Sequence, residues 1–498
     1  MILIKLLKTV CIDREDHSFM NGEEHDTLSL STSTDDSTLS TDLYQLTMAA
    51  AYLETGQADK KAIFEMFIRN FPRNRSYLVA AGLEQVIRFL LNMKFNDKHI
   101  SYLKSLEIFK GISDNFFEYL QKFKFTGTVW AIPEGTVIFP NEPLIRIEAP
   151  IIEAQIIETY LLSMMNFQSL IATKASRIVN VAARGKRFII EFGSRRAHGP
   201  GASLLAARAS FIGGCIGTSN ILAGLKFGIP IFGTMAHSFV MSFDREEEAF
   251  EQYIKTFPSN SFLLVDTYDT VTAIKKIIEM DLDPSGIRLD SGDLYSLSMD
   301  ARRLLDSAGD TSTKIMASGN LNERIIRDLV DKYAPIDYFG VGTELTTSRD
   351  DPAMNGVYKL VAVKVQSRLP SPRLSTKAEG DSRDVEKKKK KKILYKMKAS
   401  RGRKTLPGPK QVYRILDGSG RLKSDILALE DEYFENSIPL QKKVVDSGLL
   451  LHNSLSSIKE IQMYHLKQMS LLGAEFKELN SIPEKFPVIF SDRLQSLL

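Results

Sequence analysis

The sequence predicts an α/β protein built around a βα barrel or a doubly wound sheet. Six short apolar runs recur between residues 187 and 343, and their starts are separated by 42, 33, 24, 28 and 23 residues. Helix-like segments lie between these runs, as expected where parallel strands alternate with helices. Polar side chains follow most of the runs, and active sites of barrels form at the carboxyl ends of the strands. This clustering indicates an enzyme.

The length and composition agree with a globular chain of two or three packed units. The chain has 498 residues, of which 43% are hydrophobic and 25% charged, and these values exclude a fibrous or wholly disordered protein. The net charge is +4, but it is unevenly spread. Residues 364–404 hold 16 basic and 4 acidic side chains, so the rest of the chain has a net charge of −8. The body of the protein is therefore acidic.

The N-terminal part is expected to hold a disordered leader over residues 1–40 and an α/β domain over residues 41–150. The leader ends in SLSTSTDDSTLS, which cannot bury enough apolar area to offset its ordering entropy. A helix is expected to begin at Thr41 as its N-cap and to stop at Gly56. Further elements are expected as a strand at 62–70, helices at 80–95, 97–106 and 114–122, and short β-rich runs at 129–150.

The remainder divides into three segments. Residues 151–363 form the predicted barrel domain, which opens with a long helical pattern to residue 183. Residues 364–404 read as a basic low-complexity insertion that contains six consecutive lysines, Lys387–Lys392. Residues 405–498 resume ordered sequence and carry amphipathic patterns around 424–435 and 456–477.

Cysteine content and hydropathy bear on the location of the protein. Two cysteines, Cys11 and Cys215, cannot build a disulfide framework, so a reduced, cytoplasmic compartment is expected. No run of about 18 apolar residues occurs, so no membrane span is expected. The sequence also lacks HExxH, paired CxxC, GxSxG and P-loop motifs, which argues against a structural zinc site, a serine hydrolase and a P-loop ATPase.

The segment IRLDSGDL at 287–294 is the most informative. Strand alternation places Arg288 and Asp290 on one face. A guanidinium can fork onto phosphate or carboxylate oxygens, and a carboxylate can accept ribose hydroxyls or the waters of Mg²⁺. The pair therefore suits a phosphorylated sugar. A strand-end salt bridge without a ligand explains the same residues.

Two glycine-containing turns follow neighbouring runs and are candidate phosphate loops. Gly342 and Thr343 lie in GVGTELTT, and Ser318, Gly319 and Asn320 lie in SGNLNE. Glycines allow backbone N–H groups to approach an anion, although a tight strand-to-helix turn needs no ligand.

Three further segments supply candidate side chains, each with a structural alternative. GTMAHSF places His237 just past a run, although a lone histidine is often purely structural. EFGSRRAHGPGA offers Phe192 for stacking and Arg195 and Arg196 for anions, or as surface charge. The glycines of GGCIGTSN, at 213–220, lie in a helical pattern and suggest close approach to a ligand or to a neighbouring helix.

The motifs together resemble those of nicotinate phosphoribosyltransferases. TDLYQLTM, EFGSRRAHGP, GTMAHSF, VDTYDT, IRLDSGDL, SGN, GVGTELTT and GVYKLV occur in the order of that family, and TLPGPKQVYR and FPVIFSDRLQSLL are similar to it. The resemblance covers 41–363 and 405–498. It implies an irregular βα barrel with a second α/β domain built from the N- and C-terminal parts of the chain. It also implies a homodimer with a shared active site.

The resemblance further implies a reaction and its cofactors. Nicotinic acid and phosphoribosyl pyrophosphate would give nicotinate mononucleotide and pyrophosphate, the first step of NAD salvage from nicotinate. Mg²⁺ would accompany phosphoribosyl pyrophosphate and ATP, with no direct protein ligand expected. ATP hydrolysis would be coupled through a phosphohistidine at the position of His237.

The same resemblance assigns roles to individual residues. Tyr44, beside Asp42, would stack on the pyridine ring from the partner subunit, and Phe192 would stack on the other face. Arg195, Arg288 and Thr234 would meet the nicotinate carboxylate. Asp290 would take the ribose or metal side, and the ribose and 5′-phosphate would be held by Ser318, Gly319, Asn320, Gly342 and Thr343.

Ser219 carries the prediction of substrate specificity. Related nicotinamide enzymes have an acid at this position, which accepts from the amide. A neutral side chain avoids repelling a carboxylate, so Ser219 favours the acid substrate.

Two other classes are alternatives. A metal-dependent barrel hydrolase or aldolase would need a ligand cluster or a catalytic lysine, yet of 7 histidines only His198 and His237 fall on the candidate rim. A nucleic-acid-binding protein could use Lys387–Lys392, but the run lacks interleaved stacking aromatics, so nucleic acid is not the expected partner.

The leader and residues 365–404 have no counterpart in the family that the motifs resemble. In place of residues 365–404 that family usually has a short hairpin-like link.

Overall fold

The computed structural model describes residues 34–365, 392–398, 405–479 and 485–498. Its helices are α1 (Leu43–Glu54), α2 (Leu83–Asn92), α3 (Asp97–Ser105), α4 (Asp114–Gln121), α5 (Ile151–Ile156), α6 (Glu158–Arg184), α7 (Pro200–Ile212), α8 (Ile221–Phe227), α9 (His237–Met241), α10 (Glu246–Thr256), α11 (Thr270–Glu279), α12 (Leu294–Ser307), α13 (Glu323–Asp331), α14 (Thr343–Thr346), α15 (Ile458–Leu471) and α16 (Asp492–Gln495). Short 3₁₀ helices are Thr34–Leu39, Glu107–Phe109, Ser194–Arg196 and Ala474–Lys477.

The strands are β1 (Lys61–Ile68), β2 (Leu78–Val79), β3 (Thr128–Ala131), β4 (Val137–Ile138), β5 (Pro143–Pro150), β6 (Phe188–Glu191), β7 (Gly217–Thr218), β8 (Phe262–Leu264), β9 (Gly286–Leu289), β10 (Lys314–Ala317), β11 (Tyr338–Val341), β12 (Gly356–Val365), β13 (Lys392–Tyr395), β14 (Lys410–Leu416), β15 (Leu422–Leu429), β16 (Ser437–Pro439), β17 (Lys442–Asp446), β18 (Leu449–Leu450) and β19 (Val488–Phe490). The chain is a mixed α/β protein, as expected from the sequence.

A seven-stranded antiparallel sheet forms one half of the molecule, in the order β13-β12-β1-β5-β3-β17-β18. Seven of the eight residues of β1 are buried, because β1 lies inside the sheet and under the largest apolar cluster. The sheet recruits β12, which begins at Gly356, by pairing Gly356 with Ile68. The boundary expected at residue 363 therefore lies inside a strand of this sheet.

The chain preceding α1 is packed against the same half. In the 3₁₀ helix Thr34–Leu39, Asp36 accepts from Lys98 Nζ at 3.2 Å, and Thr38 Oγ1 accepts from the backbone N–H of Lys94 at 3.2 Å. These residues are folded although the sequence analysis placed them in the leader; residues 1–33 lie outside the described chain. The N-cap of α1 is Asp42 rather than Thr41, and its side chain makes no capping bond.

A second, parallel sheet has the order β7-β6-β11-β10-β9-β8 and its own apolar core. Five strands lie where the apolar runs predicted them. The run at 229–234 forms only an isolated bridge from Ile231 to Thr218. Among the described residues the ladder does not close, so the sheet is confirmed as parallel and the closed barrel stays a prediction.

The glycines of 213–220 serve packing. A Cβ on Gly213 would lie 2.4 Å from the carbonyl oxygen of Ala172 in α6, and one on Gly217 would lie 2.3 Å from that of Pro230. Gly217 begins β7, so this part of the expected helical pattern is a strand. Close backbone approach, rather than a ligand, explains both glycines.

Helix α6 joins the two halves. The helical pattern expected from 151 to 183 is divided at Ile157 into α5 and α6. At the start of α6, Glu158 accepts from Gln45 of α1 at 3.1 Å. Thr173 Oγ1 accepts from the backbone N–H of Val79 in β2 at 2.9 Å, and Lys174 pairs with Glu323 of the parallel half at 2.7 Å.

The C-terminal part adds strands to the antiparallel sheet and forms a further sheet of its own. β13 pairs antiparallel with β12, Ile393 opposite Lys364, so residues 392–395 of the expected insertion form an edge strand. Residues 366–391 and 399–404, which include Lys387–Lys391, lie outside the described chain. A four-stranded sheet has the order β16-β14-β15-β19, and the amphipathic pattern around 424–435 begins as β15. Across the ranges that the structure describes, no helix is long and apolar enough to cross a bilayer.

Candidate active site

A cavity of about 410 Å³ opens at the carboxyl ends of β6, β9, β10 and β11. It is lined by Phe192, Arg195, Arg196, Arg288, Asp290, Ser318, Gly319, Asn320, Leu321, Gly340, Gly342, Thr343 and Glu344. Most of these residues are strand-end candidates predicted from the sequence. The parallel order of the strands brings them together, because all carboxyl ends meet at one edge.

Arg288 is the hub of the cavity wall. Its Nε donates to Ser318 Oγ at 2.8 Å, and its Nη1 donates to Thr234 Oγ1 at 2.9 Å and to the carbonyl oxygen of Met235 at 3.2 Å. Its Nη2 donates to Asp290 Oδ1 at 2.7 Å. One N–H of the guanidinium is left for a ligand. The strand-end salt bridge is therefore present, and it lies in the wall of the cavity.

Asp290 is held ionised. Burial raises the pKa of its carboxyl, but the hydrogen bond from Ser318 at 2.5 Å and the charges of Arg288 and His237 outweigh burial and leave that pKa below its usual value. His237 Nε2 lies 3.8 Å from Asp290 Oδ2, and His237 Nδ1 lies 3.2 Å from Thr267 Oγ1. The His237 side chain is 41% exposed, and its Nε2 lies on the side of the Asp290 carboxylate.

A second carboxylate, that of Asp266, supports Asp290 from the segment that follows the neighbouring strand β8. Asp266 Oδ2 accepts from the backbone N–H of Asp290 at 3.1 Å and from Ser291 Oγ at 2.5 Å. Its Oδ1 is buried and has no hydrogen-bond partner in the described part of the chain. Among all the residues that the structure describes, no three or more histidine, cysteine or acidic side chains are arranged to hold a metal ion.

The two glycine turns approach the wall closely. Gly319 has φ +91° and Asn320 has φ +50°, so both residues of this turn are left-handed. A Cβ on Gly319 would lie 2.1 Å from the carbonyl oxygen of Asp290. A Cβ on Gly340 would lie 2.5 Å from the ring of Phe192. Glycine is thus needed at 319 to seat the turn and at 340 to seat the ring.

The turn that carries Phe192 is held by a buried acid. Glu191 accepts from the backbone N–H of Gly193 and, at 2.5 Å, from Thr218 Oγ1. Burial raises the pKa of the Glu191 carboxyl above its usual value. The backbone N–H of Ser219 donates to the Glu191 carbonyl oxygen at 3.0 Å. Glu191 therefore ties the Phe192 turn to the turn that carries Ser219.

Some candidate residues lie away from the cavity lining. Tyr44 and Asp42 lie at the start of α1 in the other half; Tyr44 is 47% exposed, and Asp42 accepts from Thr159 Oγ1 at 2.8 Å. Ser219, Thr234 and His237 also do not line the cavity, although Thr234 and His237 reach it through Arg288 and Asp290. Whether a partner subunit brings Tyr44 to the cavity stays a prediction.

Sequence reasoning missed Glu344 and the supporting role of Glu191. Glu344 lies in GVGTELTT directly after Thr343, and its acidic side chain next to a candidate phosphate loop was the available signal. Glu191 was visible only as one polar residue at a strand end. Its role depends on Thr218, 27 residues away in sequence.

Comparison with known protein families gives two matches. Residues 39–166 match the nicotinate phosphoribosyltransferase N-terminal domain, and residues 188–392 match the nicotinate phosphoribosyltransferase family. A nicotinate phosphoribosyltransferase of Mycobacterium tuberculosis is 41% identical over 462 residues, covering 92% of this chain and 92% of that protein. One of Bacillus subtilis is 40% identical over 489 residues, covering 92% of this chain and 94% of that protein.

A solved structure has the same fold. The crystal structure of human nicotinic acid phosphoribosyltransferase superposes with a TM-score of 0.74 at 28% identity, covering 92% of this chain and 98% of that one. The sequence and structural matches span both halves of the molecule and the strands that build the cavity. The chain belongs to the nicotinate phosphoribosyltransferase family.

Proposed function

We propose that this protein transfers the 5-phosphoribosyl group from phosphoribosyl pyrophosphate to nicotinic acid, giving nicotinate mononucleotide and pyrophosphate, as the first step of NAD salvage from nicotinate. Similarity to named nicotinate phosphoribosyltransferases over nine-tenths of the chain supports the reaction. The observation that carries it is the cavity itself. An aromatic ring, exposed arginines, an ionised aspartate and two glycine turns meet there.

The proposed division of labour follows from which groups are free. The side chain of Arg195 is exposed at the mouth of the cavity and is free to pair with the nicotinate carboxylate while the ring stacks on Phe192. Arg288 has one uncommitted N–H, so its main work is to hold Asp290, Ser318 and Thr234 in place. The turns at 318–320 and 342–343 take the ribose and the 5′-phosphate.

The chemistry asks for positioning and charge stabilisation. The ribosyl carbon develops oxocarbenium character as pyrophosphate leaves, so a nearby carboxylate stabilises it and a closed cavity excludes water. The ionised carboxylate of Asp290, in the cavity wall, takes this role. The unpartnered Asp266 oxygen and the Asp290 carboxylate fit a hydrated Mg²⁺ that arrives with the substrate, held through its waters. Bound Mg²⁺ supplies neutralisation of the leaving pyrophosphate.

We place the coupling to ATP at His237. The ring nitrogen that faces Asp290 accepts the γ-phosphoryl group as the bond to the ADP oxygen breaks. The contact of Nδ1 with Thr267 orients the ring so that Nε2 lies on the side of Asp290. A phosphate there adds negative charge beside Asp290, where Mg²⁺ and pyrophosphate meet.

A homodimer completes the site in this proposal. Tyr44 is exposed on α1 and is free to stack on the pyridine ring in a partner's cavity. Mixing Tyr44→Ala and Asp290→Ala protomers, each expected to be inactive alone, should restore activity, because one site of each hybrid dimer is then intact. Mixtures as inactive as their parents would contradict the shared site. We infer a cytoplasmic location from the two cysteines that cannot form a disulfide framework.

The deciding experiment is product formation from phosphoribosyl pyrophosphate with nicotinate, nicotinamide or quinolinate, each with and without ATP. Nicotinate mononucleotide should form fastest, and ATP should raise its yield. Turnover confined to quinolinate or nicotinamide would refute the assignment. Incubation with ATP should leave an acid-labile phosphate on the wild type and none on His237→Ala, whereas equal labelling would remove His237 from its role.

Ser219 tests the choice of substrate. Ser219→Asp should lower nicotinate turnover and relatively favour nicotinamide, because a carboxylate there repels the acid and accepts from the amide. Ser219→Ala is the matched control, since it stays neutral, and it should keep the preference for nicotinate. Unchanged kinetics of Ser219→Asp with both substrates would contradict the reasoning.

A further inference from the structure

A largely buried cluster of charges lies behind the cavity. The lysine cluster, as we name it, comprises Arg75, Lys174, Arg177, Glu323, Glu344 and Asp350. Three cations face three carboxylates, so the cluster is electrically balanced. Arg75 lies just before β2, and Lys174 and Arg177 lie in α6. The three carboxylates lie in the segments that follow β10 and β11.

Lys174 is the centre of the lysine cluster. Its side chain is 1% exposed, and its Nζ lies 2.7 Å from Glu323 Oε2, 3.0 Å from Asp350 Oδ1 and 3.8 Å from Glu344 Oε2. An ammonium has three N–H donors, and three carboxylates surround this one. Arg75 adds a bidentate grip on Asp350, with Nη1–Oδ2 at 2.6 Å and Nη2–Oδ1 at 3.0 Å.

Two of these carboxylates follow directly on the two glycine turns. Glu323 is the first residue of α13, three residues after Asn320. Glu344 is the residue after Thr343 and itself lines the cavity. A single buried ammonium therefore joins the chain behind both turns. No other side chain among the described contacts of the cavity wall reaches both segments.

The attachment is firm for electrostatic reasons. The charges of Arg75 and Lys174, with their hydrogen bonds, hold the pKa of Asp350 far below its usual range despite burial. Burial raises the pKa of Glu323, but the charges of Lys174 and Arg177 leave that pKa below its usual value as well. Both acids are thus charged partners of Lys174. Without its ammonium, two arginines, Arg75 on Asp350 and Arg177 on Glu323, face three carboxylates, and no cation links the two segments.

We propose that Lys174 is a positioning residue for the phosphoribosyl end of the substrate, setting the separation of the turns at 318–320 and 342–343. This inference rests on the proposed function of those turns. It predicts that loss of Lys174 weakens phosphoribosyl pyrophosphate binding while leaving the nicotinate half of the cavity, held by Glu191, intact.

Three variants test it. Lys174→Met removes the ammonium at similar length, and Glu323→Gln removes one anchor without changing shape. Lys410→Met is the matched control: Lys410 is equally buried and pairs with Glu65 at 2.7 Å, but in the antiparallel half. Readouts are calorimetric binding of Mg²⁺–phosphoribosyl pyrophosphate, the KM values of both substrates, kcat and the thermal midpoint.

Lys174→Met should raise the Kd and KM for phosphoribosyl pyrophosphate about tenfold, as expected for a misplaced binding turn, with less than about twofold change for nicotinate. Glu323→Gln separates positioning from charge. Added net positive charge alone would tighten binding of the anion, whereas a misplaced turn weakens it, and we expect weakening. Lys410→Met should lower the thermal midpoint and leave both KM values unchanged.

Equal changes in the KM values of both substrates, or tighter binding of phosphoribosyl pyrophosphate by Glu323→Gln, would overturn the positioning role. The proposed function would still stand if the wild type forms nicotinate mononucleotide. If Lys174→Met fails to fold, Glu323→Gln decides alone. A wild type that binds phosphoribosyl pyrophosphate but forms no nicotinate mononucleotide would refute the proposed function. The Kd values of the variants for phosphoribosyl pyrophosphate would still test the role of Lys174. A wild type that does not bind it would overturn both.

Discussion

Replacing Gly319 by alanine tests whether the turn at 318–320 must lie against Asp290. The added Cβ would stand 2.1 Å from the Asp290 carbonyl oxygen, and side chains essentially never approach closer than 3.0 Å. The turn must therefore retreat by about 0.9 Å. The obstacle is backbone at the end of β9, which cannot rotate away as a side chain would. The retreat moves the turn away from the carboxylate that Ser318 contacts.

A displacement of this size costs about 100-fold in rate when it misplaces a binding group, which corresponds to about 2.7 kcal/mol of transition-state stabilisation. The left-handed backbone adds a strain of about 1 kcal/mol for alanine. Gly309→Ala is the control, because Gly309 has φ +84° with nothing within 4 Å of its Cβ position. Gly309→Ala therefore has the strain of a left-handed backbone but no atom in the way of the added Cβ.

The assay is kcat/KM for phosphoribosyl pyrophosphate at saturating nicotinate, with the thermal midpoint measured in parallel. Gly319→Ala should lose at least as much stability as Gly309→Ala, and only Gly319→Ala should lose about two orders of magnitude in kcat/KM. The reasoning fails if the two variants have equal activity, or if Gly319→Ala keeps activity within threefold of wild type.

Three other substitutions probe the ring pocket, a buried ion pair and a buried histidine. Gly340→Ala places a Cβ 2.5 Å from the Phe192 ring and should raise the nicotinate KM more than the phosphoribosyl pyrophosphate KM; an equal rise would contradict a seat specific to the ring. Arg208→Met leaves the buried Glu134, gripped at 2.8 Å by both guanidinium ends, uncompensated, and should lower the free energy of unfolding in urea by about 3–5 kcal/mol. Burial lowers the pKa of His465 to about 4 from its ordinary 6.5. The unfolded chain therefore takes up a proton first, so stability should fall by roughly 3 kcal/mol as pH drops from 6.5 to 4, a component that His465→Gln should lack.

The parallel half could be predicted because its signals are local. Buried parallel strands are short, apolar and followed by polar residues, and this pattern located β6, β8, β9, β10 and β11. β7 has two residues, too few for periodicity to register. The antiparallel half depends on pairings between distant segments, such as Ile68 with Gly356, which nothing in either segment's own pattern encodes.

The candidate site divides in the same way. Arg288, Asp290 and the turn glycines were recognisable because motif and strand-end position coincide. The hydrogen bonds that set their roles could not be recognised from the sequence. Four of the N–H groups of Arg288 donate to other residues of the protein, and no local pattern encodes those partners. Lys174 gave no signal at all, being one lysine in a long helix whose partners lie about 150 residues or more away.

The strand order of the antiparallel sheet constrains how the chain folds during its synthesis. When the ribosome has released the parallel half, the sheet consists of β5 between β1 and β3, and both outer strands have open edges. β12 closes one edge only after residue 356 emerges, and β17 closes the other only after residue 442. A nascent chain therefore carries two unpaired edges until β12 emerges and one until β17 emerges, and a message truncated before residue 442 yields a protein with an aggregation-prone flank.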